Sequence, residues 1–229
     1  MKRLFLSFTI LLMSFAVIAQ TKQPLTGAYL AKEGNVNHLW LFVDGYSSYI
    51  QYEANKYLST WGGPFSDESG NIQVQVEYND AKPDEIGQTK DTQAKVSSSE
   101  IKMGNLIFKK QASNKQDLDG LWRITGRKQE DKISEIPRGN RKTIKILVAG
   151  YFQWIAINPA EKTFSGTGGG QYTFKNKKYT ERILFFSRDN SRVSAELSFE
   201  GEIKDGKWHH TGLSSKGDPI YEIWSRDNK

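Results

Sequence analysis

Apolar residues along this chain recur mainly at every second position or in short β-branched and aromatic runs, and no long stretch repeats at a helical period. That pattern predicts strands over 39–43, 47–52, 71–78, 143–148, 152–157, 178–186, 193–200, 207–211 and 219–225, because alternate side chains of a strand point to opposite faces. Turn formers separate these runs at Asp44-Gly45, Asn158-Pro159, Lys175-Asn176, 188–191 and Asp205-Gly206. Short strands joined by hairpin turns imply an all-β fold, either a sandwich or an up-and-down barrel.

The pattern also occurs twice. GYSSYIQYEANKYLSTWGGPF, residues 45–65, reappears as GYFQWIAINPAEKTFSGTGGGQY, residues 150–172. LTGAYL from Leu25 matches LDGLWR from Leu118, and EIKMGNLIF from Glu100 matches EIKDGKWHH from Glu202. Matched landmarks in one order indicate a tandem duplication. The predicted organisation is two antiparallel β-barrel or sandwich units, at 20–112 and 115–229. The joint QASNKQD, 111–117, is short and lacks the Pro or Gly/Ser richness of a flexible linker, so the units are expected to pack on each other.

The N-terminus changes the picture of where this fold resides. Lys2 and Arg3 precede an apolar run, 4–18, and Val17 and Ala19 place small residues before Gln20. This reads as a secretory leader, 1–19, cleaved after Ala19, and the run is too short for a comfortable membrane span of about 20 residues. A soluble periplasmic or secreted protein is expected, with no integral membrane segment after cleavage. The 229 residues contain no cysteine, which excludes disulfides, thiolate metal sites and a thiol nucleophile. Loss of Lys2 and Arg3 would lower the formal charge from +6 to +4. The basic residues lie in scattered pairs such as Lys109-Lys110 and Lys177-Lys178, without the aromatic-interleaved stripe of a nucleic-acid binder.

The glycine cluster 166–170 lacks the following Lys and helix of a phosphate loop, and it reads as strand bends that let a small sheet curl. Five further segments carry a resemblance: LDGLWRI, GYFQWIAI, KYTERILFF, GEIKDGKWHHTG and YEIWSR. With GTGGGQY they make residues 118–226 similar to small lipocalin-like domains of unknown function in secreted proteins of Gram-negative bacteria. The resemblance implies a barrel whose floor is closed by Trp122 on the first strand, with Arg226, after the last strand, packed over it. A guanidinium over an indole adds a cation–π contact of roughly 0.5–2 kcal/mol. The first unit departs here, with Gly27-Ala28-Tyr29 and no obvious closing arginine.

Two copies of one fold act as an internal control. Aligning Gly63 with Gly170 sets Ile72, Val74, Val76 and Tyr78 opposite Tyr179, Glu181, Ile183 and Phe185, so Glu181 is expected to face inward and to need a donor or a ligand. Matching Leu106 and Phe108 to Trp208 and His210 places His210 in the same interior, and the last strand adds Glu222 and Trp224. With Trp154 on the second strand, these residues predict a small-molecule pocket in the second barrel, lined by Trp154, Tyr179, Glu181, Trp208, His210, Glu222 and Trp224. A carboxylate beside His210 is expected to raise its pKa above about 6.5. His209 and His210 point to opposite faces, which disfavours a metal site, and no cofactor or catalytic motif is evident. A ligand-binding module is the favoured reading, with an apolar or sugar-like ligand. An envelope interaction protein without a small ligand, and a carboxylate-dependent enzyme acting on a sugar or lipid, remain as alternatives.

Overall fold

A computed structural model describes residues 25–67, 70–129, 132–214 and 217–227. The leader expected over 1–19 lies outside them. The described chain is all β apart from short 3₁₀ turns, and no helix in it is long and apolar enough to cross a membrane.

The first sheet contains β1 (Gly27–Glu33), β2 (Val36–Val43), β3 (Tyr46–Glu53), β4 (Lys56–Ser66), β5 (Gln73–Gln75), β6 (Tyr78–Asn79), β7 (Thr89–Asp91), β8 (Lys95–Val96), β9 (Glu100–Met103) and β10 (Leu106–Lys110). Its order is β7-β5-β4-β3-β2-β1-β10-β9-β8, with β6 paired to β4. This is a curled, open sheet whose edge strands β7 and β8 follow one another in the chain. The second sheet contains β11 (Gly120–Gln129), β12 (Lys132–Glu135), β13 (Lys142–Val148), β14 (Tyr151–Asn158), β15 (Thr163–Lys175), β16 (Lys178–Phe186), β17 (Glu196–Lys204), β18 (Lys207–Leu213) and β19 (Pro219–Arg226). Strands β13 to β19 form a meander, and β11 pairs with both β13 and β19, which closes an eight-stranded antiparallel barrel. Strand β4 of the first unit and β15 of the second carry the glycines. A Cβ at Gly63 would collide with the Gln75 carbonyl, and one at Gly170 with the Arg182 carbonyl, so both strands pass closer to their neighbours than a side chain allows. The ladder slips by one residue between Gly169 and Gly170.

Trp122 and Arg226 close one end of the barrel. The guanidinium carbon lies 3.9 Å from the Trp122 ring centroid, the indole donates to the Leu118 carbonyl at 2.8 Å, and the guanidinium donates to the carbonyls of Asp119 and Asp117. Gly120, at φ +146°, is needed there because any Cβ would fall on the guanidinium. The first unit repeats the device more weakly, with Lys110 5.8 Å from the Tyr29 ring beside Gly27 at φ +140°. The closing cation that the sequence comparison did not find is therefore a lysine.

The two sheets meet through one buried cluster drawn from equivalent positions. Leu39, Leu41, Val43, Tyr46, Ile50 and Tyr52 share it with their counterparts Ile144, Ile146, Val148, Tyr151, Ile155 and Ile157. At its centre Ser48 donates to Gln153, its own counterpart, and Gln153 Nε2 donates to Thr60 at 3.1 Å and to the matching Thr167 at 3.0 Å. The arrangement is pseudo-two-fold. Asp44 also reaches across, accepting from the Leu121 amide at 2.9 Å, so the first unit braces the barrel floor.

Three sequence expectations change. The strand expected over 71–78 is broken into β5 and β6, because the pairing to β4 shifts by one residue between Phe65↔Val74 and Gly62↔Tyr78. Phe185 and Tyr78 do not face the two interiors. The bulge beside Gly169 and Gly170 reverses the alternation, so Phe185 joins the cluster between the units 5.4 Å from Tyr52, and Tyr78 joins it from the other side. The third change concerns the hairpin match. β9 and β10 occupy the place of β18 and β19, since β10 pairs with β1 as β19 pairs with β11. Strand register then makes Ile101, Met103, Leu106 and Phe108 the counterparts of Trp208, His210, Glu222 and Trp224.

Candidate functional site

The second barrel places a charged cluster where the first unit is apolar. On β13, Lys145 stands between Trp122 and Trp154 across the ladder, just as Trp40 stands between Tyr29 and Tyr49 on β2. On β16, Glu181 opposes Tyr172, as Val74 opposes Phe65. On β18 and β19, His210 opposes Glu222, in the places of Met103 and Leu106. Four apolar positions of one copy thus become two carboxylates, a lysine and a histidine in the other.

The deepest pair is Lys145 and Glu181. Nζ and Oε1 are 3.0 Å apart with both side chains 6% exposed, and the Tyr179 hydroxyl donates to the same carboxylate oxygen at 2.8 Å. Burying two ions is costly unless geometry and extra partners compensate. Here the ammonium lies 5.0 Å from the Tyr179 ring centroid, 5.1 Å from Trp208, 5.4 Å from Trp224 and 5.9 Å from Phe152, an aromatic cage suited to a desolvated cation. Lys145 is the donor that Glu181 was expected to need.

Above this pair, His210 is 2% exposed and wedged 4.4 Å from Phe199 and 5.0 Å from Trp208, centroid to centroid. Its Nδ1 is 3.5 Å from Glu222, and neither ring nitrogen makes a hydrogen bond. Burial and then the neighbouring Lys145 charge push the His210 pKa below its ordinary value, outweighing Glu222 and Glu181, which is the reverse of the sequence expectation. Burial pushes the Glu222 carboxyl up, but His210, Lys145 and Arg127 together hold it below the usual carboxylate range. Glu222 also accepts from the Trp224 indole at 3.2 Å and faces Arg127 at 3.6 Å.

These residues line a cavity of about 350 Å³, within the usual range of small-ligand sites, about 300–1,000 Å³. Of the predicted pocket residues, Trp154, Glu181, His210, Glu222 and Trp224 open onto it. Tyr179 and Trp208 stand behind as walls of the lysine cage and do not line it. Ile183, Phe186 and Leu197 add apolar wall, and Arg127, Arg141, Arg188 and Arg192 also line it. Sequence reasoning missed Lys145 and all four arginines. Lys145 was detectable, since its repeat counterpart is Trp40. The arginines follow bulges or turns where alternation gives no facing. Among the described residues, no three His, Asp or Glu side chains gather as metal ligands do. His38 donates to or accepts from the Tyr49 hydroxyl at 2.6 Å inside the first unit, and His209 pairs with Tyr221 at 2.8 Å on the outer face.

Neither known protein families nor characterised proteins offer a match to this chain.

The depressed His210 pKa has a signed consequence. Between the folded value and the unfolded value of 6.5, the unfolded chain binds more protons than the folded one, so stability falls as pH drops through that window. The expected result is a melting temperature that declines as pH is lowered below 6.5, and a shallower decline in His210→Phe. Equal slopes in the two proteins, followed by thermal melts at each pH, would remove His210 as the source.

Proposed function

We propose that this chain is an exported, lipocalin-like binding protein whose second barrel takes one small ligand, apolar or sugar-like in part, into the cavity opposite the Trp122 floor. The first unit serves as scaffold. The observation that carries this reading is His210: it is buried, it lines a cavity walled by Trp154 and Trp224, and both its ring nitrogens lack a hydrogen-bond partner. A buried polar atom without a partner costs about 1–3 kcal/mol, and a ligand group that met it would recover that cost. The contrast with the first unit supports the same reading, because packing alone is served by Met103, Leu106, Val74 and Trp40. Export is supported by the leader pattern at 1–19.

A neutral polarity-sensitive dye, N-phenyl-1-naphthylamine, provides the test. It should bind saturably at one site per chain, with enhanced dye emission and quenching of tryptophan. Ala195→Trp, which places an indole into the cavity wall, should weaken it by about tenfold or more. No saturable binding to the wild type, or equal binding to Ala195→Trp, overturns the proposal.

A further inference from the structure

We infer that the ligand is an amphipathic organic acid, its anionic group held by arginines at the open end of the barrel and its apolar part among Trp154, Ile183, Phe186 and Leu197. This rests on the binding reading above and names the ligand class.

The walls of the cavity carry five cations, Arg127, Arg141, Lys145, Arg188 and Arg192, against two carboxylates, Glu181 and Glu222, an excess of three positive charges with His210 neutral. The carboxylates are already engaged, Glu181 by Lys145 and Glu222 by Arg127 and the Trp224 indole. Charge satisfaction within the site therefore stops at the two glutamates. Arg188 spends its guanidinium on a neutral acceptor, the Ser165 carbonyl. Arg192 lies 3.8 Å from Asp189, which is outside the cavity wall. Arg141 forms no ion pair among the described residues.

Depth sorts these groups. Lys145, Glu181 and His210 are buried, whereas Arg127, Arg141 and Arg188 are exposed and Arg192 is half-buried, so the uncompensated charge sits at the solvent end and the closed floor lies at the other. A neutral ligand filling the cavity would strip water from guanidinium groups and return no acceptor. A cationic head would meet the excess charge directly. A carboxylate, or another acid head, accepts paired N–H bonds from a planar guanidinium while its chain covers the apolar wall. The His210 ring, whose nitrogens make no hydrogen bond, is placed to meet a polar atom part-way along such a ligand.

The test displaces N-phenyl-1-naphthylamine with three decyl compounds that share a chain and differ in head: decanoate, decanol and decyltrimethylammonium. Decanoate should compete about tenfold or more better than decanol, the order supplied by one charge-assisted hydrogen bond, and decyltrimethylammonium should compete worst. Arg141→Gln with Arg192→Gln should bring the ratio of decanoate to decanol competition, each measured against the dye affinity of that same variant, close to one. Lys177→Gln, which removes a remote cation bound to Glu202, should keep the preference and so excludes a general charge effect. Dye binding with equal competition by decanoate and decanol, or a preference unaltered in the double arginine variant, overturns the acid assignment and leaves the binding reading standing. Absence of dye binding overturns both.

Discussion

Lys145→Met is expected to cost about 3–5 kcal/mol of stability, and Glu181→Val a similar amount, because each leaves its partner as an uncompensated charge in a dry interior. The aromatic cage that suits a paired ammonium offers the lone carboxylate nothing, and the Tyr179 hydroxyl alone meets Glu181 once the lysine is gone. The double variant should recover most of the loss. The first unit already holds an apolar Trp40 and Val74 at these two places, both fully buried, so the backbone accepts an uncharged pair there. Urea unfolding of the four proteins in the cycle measures the coupling. A double variant as unstable as the two single losses added together would show that the ions do not depend on one another.

The second large effect is at the floor. Trp122→Ala should destabilise the chain by about 3–5 kcal/mol, the usual range for truncating a large buried aromatic ring. The loss includes the cation–π contact with Arg226 and an unpaired Leu118 carbonyl, and it opens the base of the barrel beside Trp208, whose ring centroid is 5.9 Å away. For a chain of this size the melting temperature should fall by roughly ten degrees. A change of only a degree or two would mean that the lid does not hold the barrel. Arg226→Ala should cost less, since the guanidinium is partly hydrated, and the difference between the two variants separates packing from charge.

How much of this was legible beforehand depends on where the period-two pattern survives. Strands such as β3, β13, β14, β16 and β19 were readable because they are rich in β-branched and aromatic residues over a strand's length. The glycine-rich β4 and β15 hide their alternation, since Gly62, Gly63 and Gly168 to Gly170 have no side chain to report a face, and the bulges there flipped Tyr78 and Phe185 away from the side expected. Comparison between repeats found Glu181 correctly, because β16 and β5 keep the same pairing to the strand before them. It mismatched His210 because EIKMGNLIF and EIKDGKWHH look alike as text while forming different hairpins, with loops at Gly104-Asn105 and Asp205-Gly206. His210 still faces inward, so the residue was found through a faulty pairing. The sign of its pKa was missed for a simpler reason. Lys145 had not been placed beside it, and a neighbouring cation together with burial outweighs two carboxylates.

The contact between Ser48 and Gln153 shows what joining two copies in one chain makes possible. In a dimer of separate identical chains, a residue on the two-fold axis meets its own image, and serine must face serine or glutamine must face glutamine. Every change at such a position is made twice, and a donor cannot be matched with a different acceptor. A single chain with both copies is free of that constraint: one side carries a short hydroxyl, the other a long amide that reaches Thr60 and Thr167 together. The same freedom extends to the barrel interior, where one copy can keep a sealed apolar filling and supply rigidity while its twin exchanges that filling for ions and an opening.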